Sequence, residues 1–104
     1  MAGQPAEGAP TRIPDLTTIG RQLLEAGEYA QAARALRRQL RLVPSDRYAR
    51  YLLGVAWVGL GQPQPARELF LQVAADGSED GLATLARAGL RRLLGPADRH
   101  RSPG

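Results

Sequence analysis

The chain has 104 residues, the length of one domain, which leaves no room for a two-domain enzyme with a cleft between its lobes. It contains no cysteine, so a disulfide framework, a thiolate zinc site and a cysteine nucleophile are excluded. All 14 basic residues are arginine, which excludes a Schiff-base lysine and a phosphate-loop lysine. The net charge of +4 permits an acidic partner without requiring nucleic acid.

The two ends of the chain, residues 1–12 and 96–104, are rich in proline, glycine and polar residues and are expected to be flexible tails. The N-terminal segment lacks the basic start and apolar run of a secretory signal. No stretch reaches the ~20 apolar residues of a membrane span. Together with the absence of cysteine, these features predict a cytoplasmic protein without membrane contact. His100 is interpreted as a solvated residue of the second tail.

Apolar residues in the middle of the chain recur at intervals of three and four, which is the period of a helix. Five such stripes follow one another, and β-branched residues are sparse and do not alternate. The pattern predicts an all-α fold of five helices in antiparallel pairs.

Residues that cap or end helices separate the stripes. Gly27 and Gly61 suit left-handed C-caps, and Ser45 is predicted to cap the third helix. Pro63 suits the first turn of the fourth helix, and Gly95–Pro96 is predicted to end the fifth.

The chain also matches itself at an offset of 34 residues. Pairs of residues at this offset keep their size class: Ile19 and Leu53, Gly20 and Gly54, Leu23 and Trp57, Leu24 and Val58, Gly27 and Gly61, Ala32 and Ala66, Leu36 and Phe70. Small residues recur where two helices must approach closely, and large residues recur where a gap must be filled.

A 34-residue unit of two helices resembles the tetratricopeptide repeat family. The family's pattern of large, small and aromatic positions is carried by Leu16, Ile19, Gly20, Leu23, Ala32, Leu36 and Pro44 in the first unit and by Leu53, Gly54, Trp57, Ala66 and Phe70 in the second. Arg50 stands where the first large residue is expected, and Ser78 replaces the closing proline. The resemblance covers about two thirds of the chain and implies a short right-handed α-solenoid.

The resemblance implies a domain over residues 13–95, with repeats at about 13–46 and 47–80 and a capping helix at about 79–94. The fifth helix keeps Ala88 at the next offset but places Arg87 and Arg91 where core residues belong. Its apolar stripe fits better after a shift of one or two positions. It is therefore interpreted as a cap that seals the last apolar face.

In this family the first helix of each unit lines a concave surface. The resemblance therefore implies a groove formed by Thr17, Arg21, Leu24, Tyr48, Tyr51, Leu52, Val55, Val58, Leu82, Leu85 and Gly89. In one subclass of the family, residues at fixed positions of this groove bind the C-terminal carboxylate of a peptide. Of the residues at those positions in this sequence, only Arg21 could bind an anion, so a co-chaperone of that kind is not expected. The predicted function is an adaptor or scaffold that binds a peptide or amphipathic helix of another protein.

Other uses of this face stay open. The fifth helix could fold over the tyrosines and make them core residues. The same face could form a homo-oligomer, because two repeats and a cap are marginal on their own. It could also shield an amphipathic helix of a client, as a small secretion chaperone would.

A basic stripe on the second helix consists of Arg34, Arg37, Arg38 and Arg41, at spacings that share one helical face. It could contact an acidic partner or RNA. The favoured interpretation is a solvated exterior, because the total absence of lysine makes arginine usage look compositional. RNA is disfavoured, since no aromatic residue lies within the stripe to stack on bases.

No constellation for catalysis is visible. Most acidic residues fall near predicted helix ends, none pairs with a histidine, and no serine has a base nearby. The sequence therefore predicts a protein that is not an enzyme and has no metal or cofactor.

Overall fold

The computed structural model describes residues 15–75 and 80–101, with side chains up to residue 93. These residues form five α-helices and no strand, so the all-α prediction is confirmed. The helices are α1 (Leu16–Glu25), α2 (Tyr29–Leu42), α3 (Arg47–Gly59), α4 (Pro63–Ala74) and α5 (Gly81–Arg101). The predicted N-terminal tail, residues 1–12, and Ser78 lie outside the described residues.

The helices form two layers. Each helix packs against the next along the chain, and α1, α3 and α5 also contact one another side by side, α1 with α3 and α3 with α5. The described parts of α2 and α4 make no such contact with each other. The chain is therefore a solenoid of antiparallel helix pairs, with α1, α3 and α5 in one layer and α2 and α4 in the other.

The turns within the two pairs are equivalent at the 34-residue offset. Gly27 and Gly61 have φ of 80° and 76°, which confirms the predicted left-handed C-caps. The N–H of Glu28 donates to the Leu23 carbonyl and that of Gln62 to the Trp57 carbonyl, at 2.8 Å in each turn. This bond characterises the Schellman motif, which pairs carbonyls that would otherwise lack a partner at the helix end.

Gly61→Ala is expected to lower the free energy of unfolding by about 1 kcal/mol, because an alanine is strained at positive φ. No atom lies within 4 Å of the Cβ that alanine would add, so the backbone conformation alone causes the loss. Gly81→Ala is the matched control, since its Cβ would also meet open space and its φ is not positive. Urea titration of both variants measures the difference, and equal losses would contradict the assignment.

The paired small and large residues of the repeat contact each other in the structure. A Cβ at Gly20 would lie 2.5 Å from Leu36 Cγ, and a Cβ at Gly54 would lie 2.6 Å from Phe70 Cε1. Only glycine fits where these side chains fill the space between the two helices of a pair. The prediction that small residues recur at close approaches is therefore confirmed.

Aspartates cap the N-termini of α3 and α5. The N–H of Ala49 donates to Asp46 and that of Ala83 to Asp80, at 2.9 Å in both cases. The prediction that Ser45 caps α3 is wrong, because Ser45 is an exposed turn residue and the helix begins one residue later than that cap requires. Pro63 stands in the first turn of α4, as predicted.

The start of α5 follows the same register as α3. Ala83 and Ala86 are fully buried and lie 34 residues after the buried Ala49 and Leu52. The shift of one or two positions expected for the fifth helix is therefore not seen at these residues.

The expected end of the fifth helix differs. The helix α5 runs to Arg101 and passes Gly95–Pro96, so the predicted end at that dipeptide is wrong. A proline lacks its N–H and removes one backbone hydrogen bond of the helix, and here the helix continues beyond it. Arg50, the departure from the repeat pattern, is half-buried, and its guanidinium donates to the Pro44 carbonyl.

Candidate functional site

Helices α3 and α5 present equivalent stripes on the layer they share. The α3 stripe consists of Tyr48, Tyr51, Val55 and Val58, and the residues 34 positions later form the α5 stripe of Leu82, Leu85, Gly89 and Arg92. Both follow the spacing of one helical face. Since α3 and α5 contact each other, the two stripes together form a continuous surface, called here the α3/α5 surface.

A hollow of about 270 Å³ lies in the α3/α5 surface. It is lined by Tyr51, Val55, Val58, Phe70, Leu85, Ala88, Gly89, Arg92 and Leu93. Ligand pockets for whole small molecules range from about 300 to 1,000 Å³. The hollow is therefore of a size that suits one or two apolar side chains of a partner.

Phe70 of α4 and Gly89 of α5 determine the depth of the hollow. Phe70 is 2% exposed, and Cβ atoms at Gly54 and Gly89 would lie 2.6 Å and 2.8 Å from its ring. The ring thus lies between two glycines on neighbouring helices. At Gly89, the position equivalent to Val55, the ring occupies the place that a Cβ would take, so glycine lets α5 approach the ring closely and both residues line the hollow.

The surface stays accessible beside α5. Tyr48, Val58 and Leu85 are 42%, 44% and 49% exposed, which is high for large apolar side chains. Tyr51 is half-buried, and its ring centroid lies 5.6 Å from that of Phe70. The alternative in which α5 folds over the tyrosines and buries them therefore does not apply to Tyr48, which is exposed, and applies only partly to Tyr51, which is half-buried.

The polar groups of the hollow are few. Burial raises the pKa of the Tyr51 hydroxyl above 10.0, an effect that the positive charge of Arg92 partly opposes. The Tyr51 hydroxyl therefore stays protonated at neutral pH and can donate a hydrogen bond. Arg92 is the charged residue among the described side chains that line the hollow.

Several predicted groove residues lie outside this hollow. Thr17 and Leu52 are buried, at 7% and 6% exposure, and cannot contact a partner. The Thr17 hydroxyl donates to the Asp46 carboxylate at 2.8 Å, and Leu52 belongs to the core. Arg21 forms an ion pair with Glu25 at 2.8 Å.

The core has two buried clusters, one around Leu36 and Leu53 and one around Phe70 and Val73. Leu24 is half-buried and packs against the first cluster, and Leu82 is half-buried and packs against the second. The large apolar side chains of the predicted groove that are exposed, Tyr48, Val58 and Leu85, lie on α3 and α5. Sequence reasoning missed Arg92 and Leu93, although the 34-residue offset from Val58 points to Arg92.

The described part of the chain offers no place for a metal ion, since it contains no group of three or more His, Cys, Asp or Glu residues that could hold one. Nor does any helix within the described ranges have the length and apolarity to cross a membrane.

A sequence model of the tetratricopeptide repeat matches residues 23–90, about two thirds of the chain. The chain belongs to the tetratricopeptide repeat family. Tetratricopeptide repeats generally mediate protein–protein interaction and are non-catalytic modules. Neither a search of curated proteins nor one of solved structures gives a significant match.

Proposed function

We propose that this tetratricopeptide repeat domain binds an amphipathic helix of a partner protein on the α3/α5 surface. The observation that carries the proposal is the apolar hollow flanked by large side chains that are nearly half exposed, Val58 and Leu85. Exposed apolar surface of this kind marks interaction sites in proteins that otherwise bury such residues. Tyr48 and Tyr51 add area together with a polar tip, which is typical of protein interfaces.

The dimensions favour a helix as the occupant. From Tyr48 to Val58 the α3 stripe rises about 15 Å, at about 1.5 Å per residue. An amphipathic helix of about three turns has the same length and places apolar residues along one line. One of its side chains would fill the hollow above Phe70, and its neighbours would contact Tyr48 and Leu85. Burying each such side chain contributes about 1.5–3 kcal/mol before the cost of ordering the partner.

The organisation of the domain fits this use. We propose that α5 acts as a cap. Arg87 and Arg91 stand 34 residues after the buried Leu53 and after Trp57, which packs against the core. Arg91 is exposed. A cap of this kind leaves the α3/α5 surface free for a partner.

The test compares Val58→Asp with Leu71→Asp. Both residues are 44% exposed and lie near the C-terminal ends of their helices, but only Val58 lines the hollow. Peptides selected from a displayed library of amphipathic helices provide the probe. We expect Val58→Asp to weaken their binding by about tenfold or more, since a carboxylate would be buried against apolar side chains. Leu71→Asp should bind as the unchanged domain does, as measured by fluorescence anisotropy.

Circular dichroism of both variants verifies that the helices are retained. Equal affinity of the two variants would contradict the proposal. Analytical ultracentrifugation tests the alternative occupant, a second copy of the chain. A dimer that dissociates in Val58→Asp and not in Leu71→Asp would assign the surface to self-association instead.

A further inference from the structure

A second hollow lies at the arginine stripe of α2, beside the start of α1. It measures about 570 Å³ and is lined by Leu16, Arg34, Ala35, Arg37, Arg38 and Arg41. All four arginines are exposed, and none of its lining residues lines the first hollow. It is called here the α2 hollow.

The repeat itself does not require arginines at these positions. The equivalent residues, 34 positions later, are Glu68, Leu71 and Gln72 of α4 and its C-cap Ala75. The second helix of a pair can therefore carry acidic, apolar or small residues on this face and still pack. A solvated exterior explains why the arginines of α2 are exposed, but Leu16 of α1 adds an apolar side chain beside them that the spacing on α2 alone does not provide.

The positive charge of the α2 hollow is not neutralised by neighbours in the described residues. The ion pairs Arg21–Glu25 and Arg47–Asp80 of the described residues do not involve the four arginines of α2. Like charges three and four residues apart on a helix repel one another. A ligand with negative charges would remove this repulsion on binding.

We propose that the α2 hollow binds an acidic segment of a protein, in which carboxylates flank an apolar side chain. Guanidinium groups bind carboxylates through two parallel hydrogen bonds, which favours arginine over lysine at such sites. From Arg34 to Arg41 the helix rises about 10 Å, so the guanidiniums can contact more than one carboxylate of the same segment. Leu16 and Ala35 provide the apolar surface for the side chain between them.

The lining argues for a protein segment in preference to nucleic acid. RNA recognition relies on aromatic side chains that stack on bases, and none lines the α2 hollow. The apolar part of the hollow has no partner on a phosphate backbone. The α2 hollow is independent of the α3/α5 surface, so either proposal can fail without the other.

The test uses a fluorescently labelled synthetic peptide in which glutamates flank a leucine, at low and at physiological salt. We expect Arg37→Gln with Arg41→Gln to weaken binding by about tenfold, because two charged contacts are lost. The control is Arg67→Gln with Arg91→Gln, which removes the same charge from exposed arginines outside both hollows. This control should change the affinity by less than about twofold, since surface charges beyond about 8 Å are screened at physiological salt.

Further measurements make the outcome decisive. A peptide with serine in place of leucine should bind more weakly, because Leu16 loses its apolar contact. Val58→Asp should bind the acidic peptide as the unchanged domain does, which separates this site from the α3/α5 surface. Equal losses of affinity in the two double variants would overturn the proposal, since the total charge of the domain would then be enough to explain binding of the acidic peptide. An RNA oligonucleotide that binds more tightly than the peptide would assign the α2 hollow to nucleic acid instead.

Discussion

Phe70→Ala is expected to lower the free energy of unfolding by about 3–5 kcal/mol, the range found when a buried phenylalanine is truncated. The ring is 2% exposed and lies against Gly54 and Gly89. Neither glycine has a side chain that could move into the space the ring leaves, so a cavity should remain. Domains of this kind are stable by about 5–15 kcal/mol, so the variant should be close to unfolding. Urea titration followed by circular dichroism measures the loss.

Two matched variants show that the ring itself is responsible. Leu71→Ala removes a neighbouring side chain that is 44% exposed, so it should cost far less. Gly54→Ala adds a methyl group within 2.6 Å of the ring, and the overlap should also destabilise the fold. Because a leucine at position 70 is smaller, Gly54→Ala should cost less when combined with Phe70→Leu. If Phe70→Ala cost no more than Leu71→Ala, the ring would not be part of the core.

Phe70 also explains why the binding test uses another residue. The same ring is core for the pair α3 and α4 and part of the lining of the α3/α5 hollow. A loss of binding in Phe70→Ala would therefore not separate a damaged hollow from a damaged fold. Val58 lines the hollow without belonging to either buried cluster.

The repeat could be predicted from the sequence because its contacts are periodic. Gly20 meets Leu36 and Gly54 meets Phe70 at the same separation, so the sequence alone carries both the spacing and the sizes. The left-handed turns were equally predictable, because Gly27 is adapted to a conformation that other residues adopt at a cost.

The groove could be predicted only in part, because neighbouring helices decide which residues of a face stay accessible. Thr17 falls on the expected face of α1, but Asp46 of α3, 29 residues away, covers it and accepts its hydroxyl hydrogen. Periodicity within one helix cannot show a contact of that kind. The lining of the hollow includes Phe70 of α4, and its close approach to Gly89 of α5 is a contact between helices that periodicity within α5 does not show.

The α2 arginines show a different limit. Composition explains why a basic residue here is arginine and not lysine, because all 14 basic residues are arginine. For that reason the sequence alone favoured a solvated exterior for the stripe. It cannot show that the four side chains surround a hollow with Leu16 of another helix. The packing of α1 against α2 places Leu16 beside the arginines, so the stripe is joined by an apolar side chain of another helix.

The carboxylate of Asp46 connects three helices, and Asp46→Ala is expected to lower the free energy of unfolding by about 2–3 kcal/mol. It accepts hydrogen bonds from Thr17 Oγ1 of α1 at 2.8 Å, from Gln39 Nε2 of α2 at 2.9 Å and from the N–H of Ala49 of α3 at 2.9 Å. The loss of a cap costs about 1 kcal/mol, and the buried Thr17 hydroxyl would lose its partner as well.

Asp15→Ala is the matched control for this substitution. Asp15 caps α1 by accepting the N–H of Thr18 at 2.8 Å and is exposed, so it should cost only the cap contribution of about 1 kcal/mol. The excess loss in Asp46→Ala then measures the bonds that join α1 and α2 to α3. Losses of the same size in both variants, measured by urea titration at neutral pH, would show that the bonds to Thr17 and Gln39 contribute nothing.

The contribution of Asp46 should depend on pH in one direction. Burial raises the pKa of its carboxyl, but the hydrogen bonds from Ala49, Gln39, Thr17 and Tyr48 outweigh that effect and hold the pKa below 3.8. A carboxyl whose pKa is lower in the folded than in the unfolded state stabilises the fold above the unfolded pKa, and this stabilisation disappears as the pH falls through the folded pKa. The stability difference between the unchanged domain and Asp46→Asn should therefore be constant near neutral pH and shrink below about pH 4. If the stability difference stayed constant below about pH 4, the hydrogen bonds that Asp46 accepts would not depend on the ionised form of its carboxyl.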